Sequence, residues 1–216
     1  MTAIIVLSHG SRHPGAEHVI RELARKVAFL TGTETAAAFL DFHPDDLRTV
    51  CARLAARHAD AIVVPLLFTS AYHARIDVPR VISAITSLKL TLANPLGTGR
   101  DIAKLLDNHI SRHVAAVAPI ALYPVGSSDS AANAGVDTLA YQLSELSRRK
   151  VRVVYATGND PIHPSEHVLP LFVTHGLLLD KAHNACRGRV APPLGIALAP
   201  IVAQRAQEAT CPHYCS

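Results

Sequence analysis

The sequence predicts an α/β protein with two similar lobes, each built on a parallel β-sheet with helices on both sides. In the first half of the chain, short apolar segments alternate strictly with helical segments. Such alternation is typical of parallel sheets. The landmarks of this half recur in the same order in the second half, which indicates an internal duplication.

The first half contains four predicted strand–helix pairs. Strands are expected at residues 3–7, 35–40, 61–67 and 88–93, and helices at residues 16–30, 44–58, 78–86 and 101–113. The third strand segment (AIVVPLL) is almost entirely apolar, as expected for a strand covered on both faces of the sheet.

The second half repeats these landmarks over a shorter length. The predicted strand at 120–123 runs into Val-Gly-Ser, where the first half has His-Gly-Ser, and VAPPLG follows the pattern of LANPLG. Only the loop-like GNDPIHPSEH separates the strand at 151–156 from the next one, so we expect one helix to be lost here. We therefore predict lobes at residues 1–115 and 116–210, facing each other across a cleft, and a tail at 211–216.

The composition argues against a membrane protein and against a nucleic-acid-binding protein. The 216 residues are 49% hydrophobic and 18% charged, without a long apolar run or a signal-peptide pattern, so we expect a cytoplasmic protein with no membrane partner. The net charge is +4, but Lys and Arg are scattered and only five Phe and five Tyr are present. This argues against nucleic acid as a partner and is compatible with an anionic small molecule.

Two histidines are the leading candidates for chemistry. His9 and His73 each follow an apolar strand segment, and the carboxyl ends of parallel strands line the ligand crevice of an α/β sheet. Imidazole at such an edge can bind a divalent metal or accept protons. The alternatives are that His9 only caps its loop and that His73 is a passive surface residue.

Other potential ligands have structural explanations that fit better. They are His109 with His113, His163 with His167, and Cys211 with Cys215 in the terminal segment. The first pair ends a helix, the second lies in a Pro-rich loop, and two thiols do not complete a metal site or hold a cluster. Gly97-Thr98-Gly99 lacks the third glycine and the lysine of a phosphate loop, which disfavours a nucleotide-binding module.

Four motifs in order, LSHGSRHPG, AFLDFHPDDL, VVPLLFTSAYHARIDVP and LANPLG, resemble the CbiX/SirB class of sirohydrochlorin chelatases over residues 3–113. THGLLLDKA and VAPPLG extend the resemblance more loosely to residues 119–209. The resemblance implies two flavodoxin-like lobes around a tetrapyrrole cleft. It also implies insertion of Fe²⁺ or Co²⁺ into sirohydrochlorin for sirohaem or cobalamin, with no cofactor beyond the metal substrate.

The resemblance also assigns residues. The paired catalytic and metal-binding histidines of the family fall on His9 and His73, whereas the second repeat has Val125 and Leu178 at these positions and His175 at a shifted place. Candidate contacts to the carboxylates of sirohydrochlorin are Ser11, Arg12, Thr69, Ser70, Arg75, Ser127 and Ser128. The alternative function is a non-catalytic carrier of a tetrapyrrole, cobalt or nickel.

Overall fold

The structure, a computed structural model, describes residues 2–69, 78–115, 117–186 and 188–210. The strands are β1 (Thr2–Ser8), β2 (Thr35–Phe39), β3 (Asp60–Pro65), β4 (Lys89–Leu92), β5 (Ile120–Tyr123), β6 (Val151–Val153) and β7 (His167–Pro170). The helices are α1 (Ala16–Thr31), α2 (Leu47–Leu54), α3 (Val78–Ser83), α4 (Arg100–His113), α5 (Ser130–Ser147), α6 (Leu177–Ala185) and α7 (Ala199–Thr210).

The chain forms two compact units. The described residues within 1–97 and 196–216 form the first unit, and those within 98–195 form the second. The first has a parallel sheet in the order β2-β1-β3-β4, and the second has a parallel sheet in the order β6-β5-β7. The predicted class, two parallel sheets flanked by helices, is confirmed.

The core of the first unit explains why its central strands are so apolar. Every residue from Ala3 to Leu7 is buried, and the central part of β3 is buried as well. Leu47, Val50 and Leu54 of α2 pack against this sheet. Burying each large aliphatic side chain contributes about 1.5–3 kcal/mol, so this core stabilises the strands from which the loops at the carboxyl edge extend.

The units divide the chain differently from the predicted lobes at 1–115 and 116–210. The Pro-Leu-Gly segment at 95–97 belongs to the first unit, but the helix that follows it, α4, belongs to the second. The Pro-Leu-Gly segment at 193–195 belongs to the second unit, and the helix after it, α7, belongs to the first. α4 packs against α5, while α7 packs against α1 and β3. The apolar face of α7, which includes Ile201 and Val202, is buried there. This long-range packing leaves no local signal in the sequence.

The predicted loss of one helix in the second half is confirmed, since no helix lies between β6 and β7, a stretch that is described in full. An ion pair stabilises this loop. The guanidinium of Arg152 donates two hydrogen bonds of 2.9 and 2.8 Å to the carboxylate of Glu166, which is buried. The backbone N–H of His163 donates to the same carboxylate at 2.8 Å. Arg152 therefore holds the pKa of Glu166 below its usual value.

Candidate functional site

His9 lies where the sequence places it, directly after β1, the strand that pairs with both β2 and β3. Its side chain is 48% exposed. Gly10 follows with a φ of +99°, a conformation that L side chains rarely adopt. The strand thus ends in a tight turn that presents the imidazole at the carboxyl edge of the first sheet.

Asp41 is a candidate site residue that sequence reasoning missed. It lies in the loop between β2 and α2, and its backbone N–H donates a 2.9 Å hydrogen bond to the carbonyl of His9. One carboxylate oxygen, Oδ2, lies 3.9 Å from Nδ1 of His9. The signal was available, because Asp41 follows the carboxyl end of β2 just as His9 follows that of β1.

The loops carrying His9 and Asp41 are in close contact. A Cβ added to Gly10 would lie 2.1 Å from the carbonyl oxygen of Asp41. No side chain fits at that distance, so only glycine permits this approach. The contact sets the separation between the backbones of the two loops that carry the imidazole and the carboxylate.

Ion pairs hold the rest of the β2–α2 loop in place. Nε2 of His43 lies 2.9 Å from Glu17 on α1, and its Nδ1 accepts a 2.9 Å hydrogen bond from the backbone N–H of Asp45. The carboxylate of Asp45 accepts hydrogen bonds from Arg21 at 2.6 Å and Arg53 at 3.2 Å. Arg21 lowers the pKa of both Asp45 and Glu17, which keeps these carboxylates ionised. These contacts within the protein stabilise the conformation of the β2–α2 loop.

Three of the predicted substrate contacts lie in the segments that follow β1 and β3. Arg12 is exposed, and its guanidinium carbon lies 4.6 Å from the ring centroid of Phe42. The hydroxyl of Ser11 accepts a 3.1 Å hydrogen bond from the backbone N–H of His13. Thr69 is partly buried after β3, which carries it to the same edge of the sheet. These placements fit a site at the carboxyl edge of the first sheet.

Five residues of the sequence-based prediction lie outside the described residues. They are Ser70, His73, Arg75, Cys211 and Cys215. Their predicted roles stay predictions. Among the residues that the structure does describe, no three His, Cys, Asp or Glu side chains are grouped closely enough to hold a metal ion.

The second unit has the same turn without the histidine. Gly126 has a φ of +97°, close to that of Gly10, and the backbone N–H of Thr157 donates to the carbonyl of Val125 as that of Asp41 donates to His9. Val125 thus occupies the position of His9, as the repeat predicts.

The two serines predicted as substrate contacts lie in this turn. The hydroxyl of Ser127 accepts a 3.0 Å hydrogen bond from the backbone N–H of Asp129, while Ser128 is exposed. His175 lies after β7, and its ring stacks on that of His183 with centroids 5.9 Å apart.

Two of the histidines for which the sequence favours a structural role, His109 and His167, pack within the second unit. His109 is buried, and its Nε2 lies 2.9 Å from the carbonyl oxygen of Pro192. Burial lowers its pKa, so it stays neutral near pH 7. Burial likewise lowers the pKa of His167. These residues belong to the packing of the second unit.

A groove in the first unit lies away from His9. Its volume is about 430 Å³, and its lining includes Arg21, Arg25 and Arg53 beside Glu34 and strand β2. Each of these arginines is paired with a carboxylate, namely Asp45 or Glu22. Of the predicted site residues that the structure describes, none lines this groove.

The family model described as CbiX matches residues 3–113, just over half of the chain. The chain belongs to the CbiX family. The resemblance drawn from the four motifs is therefore confirmed, and the matched residues contain His9, Asp41 and the segment with His73.

Two relatives of this CbiX-family chain are named sirohydrochlorin cobaltochelatase. The one from Saccharolobus solfataricus is 28% identical over 123 residues, which cover 51% of this chain and 94% of that protein. The one from Sulfurisphaera tokodaii is 32% identical over 73 residues, which cover 33% of this chain. That second match spans 61% of the relative, less than two thirds of its length.

The CbiX-family chain also resembles a solved structure along nearly its whole length. The sirohydrochlorin chelatase SirB from Bacillus subtilis subspecies spizizenii, in complex with cobalt, superimposes with a TM-score of 0.79. The match covers 98% of this chain and 96% of SirB at 20% sequence identity. At that identity the likeness establishes the fold. In addition, no helix among the described residues is long and apolar enough to cross a membrane.

Proposed function

We propose that this chain is a sirohydrochlorin chelatase, a lyase that inserts Fe²⁺ or Co²⁺ into sirohydrochlorin. The observation that carries the proposal is the pairing of His9 with Asp41 at the carboxyl edge of a parallel sheet, with Nδ1 and Oδ2 3.9 Å apart. The two loops that carry these residues are joined by a backbone hydrogen bond. Family membership and the names of the two relatives support the choice of substrate. The cytoplasmic location expected from the sequence stays a prediction.

The reaction needs groups that accept protons and bind metal. A free-base tetrapyrrole loses two pyrrole N–H protons as four ring nitrogens bind the incoming ion, which at the same time sheds its water. Neutral imidazole can ligate such an ion and can also accept a proton near neutral pH. Nitrogen and carboxylate donors together suit Fe²⁺ and Co²⁺. The metal is a substrate here, and the reaction requires no nucleotide.

We assign metal ligation and proton acceptance to His9. Its exposed imidazole ligates the hydrated ion, releases it to the ring nitrogens and then accepts one of the two pyrrole protons. The nearby carboxylate of Asp41 stabilises first the ion and then the protonated imidazole. His73 is the second histidine of the proposal and accepts the remaining proton. The loops position the donors, and contacts to the periphery of the macrocycle support its bending toward the metal.

Arginine and hydroxyl side chains of the protein bind the macrocycle in this proposal. Sirohydrochlorin carries many peripheral carboxylates, and arginine pairs with carboxylates through two parallel hydrogen bonds. We assign carboxylate contacts to the substrate-binding residues predicted from the sequence, namely Ser11, Arg12, Thr69, Ser70, Arg75, Ser127 and Ser128.

The proposal is tested by metal insertion under anaerobic conditions, followed by the visible spectrum of the product. His9→Ala and His73→Ala should lower kcat by a factor of about 10²–10⁴, the usual worth of a general base, while sirohydrochlorin still binds. Asp41→Asn should cost about 10–100-fold, as is usual for a partner of a metal ligand. His18→Ala is the matched control, because this α1 histidine is 72% exposed and lies outside the proposed site.

Three outcomes would contradict the proposal. Full activity of both single histidine variants would remove His9 and His73 from the mechanism. Binding of one equivalent without turnover, with Fe²⁺, Co²⁺, Ni²⁺ and Zn²⁺ each tried, would indicate a carrier instead. A requirement for added nucleotide would contradict the assignment of the metal as the only co-substrate.

A further inference from the structure

Phe42 has an unusual backbone conformation for its residue type. Its φ is +63°, and Arg148 is the other non-glycine residue with a positive φ in the described part of the chain. Arg148 ends helix α5, where a left-handed residue is common. Phe42 ends no helix, and bulky residues in this conformation are strained.

The strain is not offset by burial of the ring. The side chain of Phe42 is 57% exposed, so it contributes little to the core. The backbone is instead imposed by its neighbours, because Asp41 donates to the carbonyl of His9 and His43 lies 2.9 Å from Glu17. Strained residues that their surroundings hold in place occur mainly at functional sites.

The surroundings of the ring fit a flat, anionic ligand. Arg12 lies 4.6 Å from the ring centroid of Phe42, and the same loop carries Asp41 beside His9. The guanidinium of Arg12 lies over one face of the ring. The other face of an exposed ring can stack on a π system, while the guanidinium can pair with a carboxylate. A tetrapyrrole with carboxylate side chains has both features.

We propose that Phe42 is a substrate-binding residue whose ring stacks on the macrocycle, with Arg12 pairing with a peripheral carboxylate of the same molecule. This inference rests on the proposed function. It assigns Phe42 to binding and leaves proton transfer to other groups. The strained backbone conformation keeps the ring exposed on the loop that brings Asp41 to His9.

The test compares Phe42→Gly, Phe42→Tyr and Phe29→Ala. Glycine removes the ring and relieves the strain at a positive φ, so this variant should unfold at the same or a higher temperature than the wild type. Phe29 is the matched control, since it is 79% exposed and Lys26 lies over its ring at 4.9 Å. It lies near the end of α1, toward the opposite edge of the sheet from His9.

Affinity for metal-free sirohydrochlorin is measured by titration, and kcat and KM are measured with Co²⁺. Phe42→Gly should raise Kd and KM about tenfold, the usual scale of lost aromatic stacking, with kcat changed less than about threefold. Phe42→Tyr and Phe29→Ala should match the wild type in all three quantities.

The outcomes separate this inference from the proposed function. An active wild type together with unchanged Kd and KM in Phe42→Gly overturns the role of Phe42 alone. A lower unfolding temperature for Phe42→Gly with unchanged binding shows that the ring serves stability, and overturns it too. A wild type that neither binds nor metallates sirohydrochlorin overturns both proposals.

Discussion

The contact between Gly10 and the β2–α2 loop gives the sharpest prediction. In Gly10→Ala the new Cβ would meet the carbonyl oxygen of Asp41 at 2.1 Å, where at least 3.0 Å is required, so one loop must move by about 1 Å. The residue must also keep a φ of +99°. Gly15→Ala is the matched control, because Gly15 has a φ of +82° but nothing within 4 Å of its added Cβ.

The expected magnitudes follow from these two contributions. The positive φ alone should cost about 1 kcal/mol in Gly15→Ala, and the added clash should bring Gly10→Ala to about 2–4 kcal/mol. For a chain of this length, these losses lower Tm by about 2–4 °C and about 5–15 °C. Because the displaced carbonyl belongs to Asp41, Gly10→Ala should also lower kcat for metal insertion about 10²-fold, the effect of a 1 Å misplacement.

The assay pairs thermal unfolding with metal insertion for both variants. Equal Tm values and equal activities for Gly10→Ala and Gly15→Ala would refute the reasoning, because they would show that the two loops are not in contact. A large loss of Tm in Gly10→Ala with full activity would separate the contact from the site.

Three further predictions concern groups outside the site. Glu166→Gln should lower the free energy of unfolding by about 1–3 kcal/mol, less than for a fully buried pair because Arg152 is 37% exposed, and the urea midpoint measures this. Arg57 lowers the pKa of Glu34 from 4.5 to about 2, so the stabilisation by Glu34 is complete above pH 4.5 and is lost as the pH falls through about 2. The difference in unfolding free energy between the wild type and Glu34→Gln should therefore vanish over that interval, and a constant difference would contradict it. Burial raises the pKa of Cys51 to about 11, so its thiol should resist alkylation at pH 8 until the protein unfolds, as peptide mass spectrometry would show.

Secondary structure was predictable where one local signal dominated. The strand at residues 120–123 has its predicted bounds, and α4 begins one residue earlier than predicted. α2 is shorter than the predicted 44–58. It begins at Leu47 because the carboxylate of Asp46 accepts a hydrogen bond from the backbone N–H of Thr49 and caps the helix there, and it ends at Leu54. β6 ends at Val153, the last residue in register with β5, although Val154 and Ala156 still donate backbone hydrogen bonds to Leu122 and Pro124.

The candidate site was only partly predictable from the sequence, because only some of its residues carry a local signal. His9 could be proposed from the sequence because it follows an obvious strand, whereas Asp41 is a candidate only through its 3.9 Å approach to His9. That approach depends on β1 and β2 being neighbours in the sheet and on the turn at Gly10. Strand order and turn contacts are set by packing between distant segments, which a single sequence does not display.

The sequence by itself determined the alternation of strands and helices, the repeat, and the position of His9 at the end of a strand. Each of these follows from the identity of adjacent residues, because apolar periodicity and turn residues act locally. Only the tertiary structure decided which unit α4 and α7 join, and which carboxylate lies beside His9. Such choices depend on burying apolar faces and hydrogen-bonding groups from distant segments together, and the free energy of that packing belongs to the whole fold.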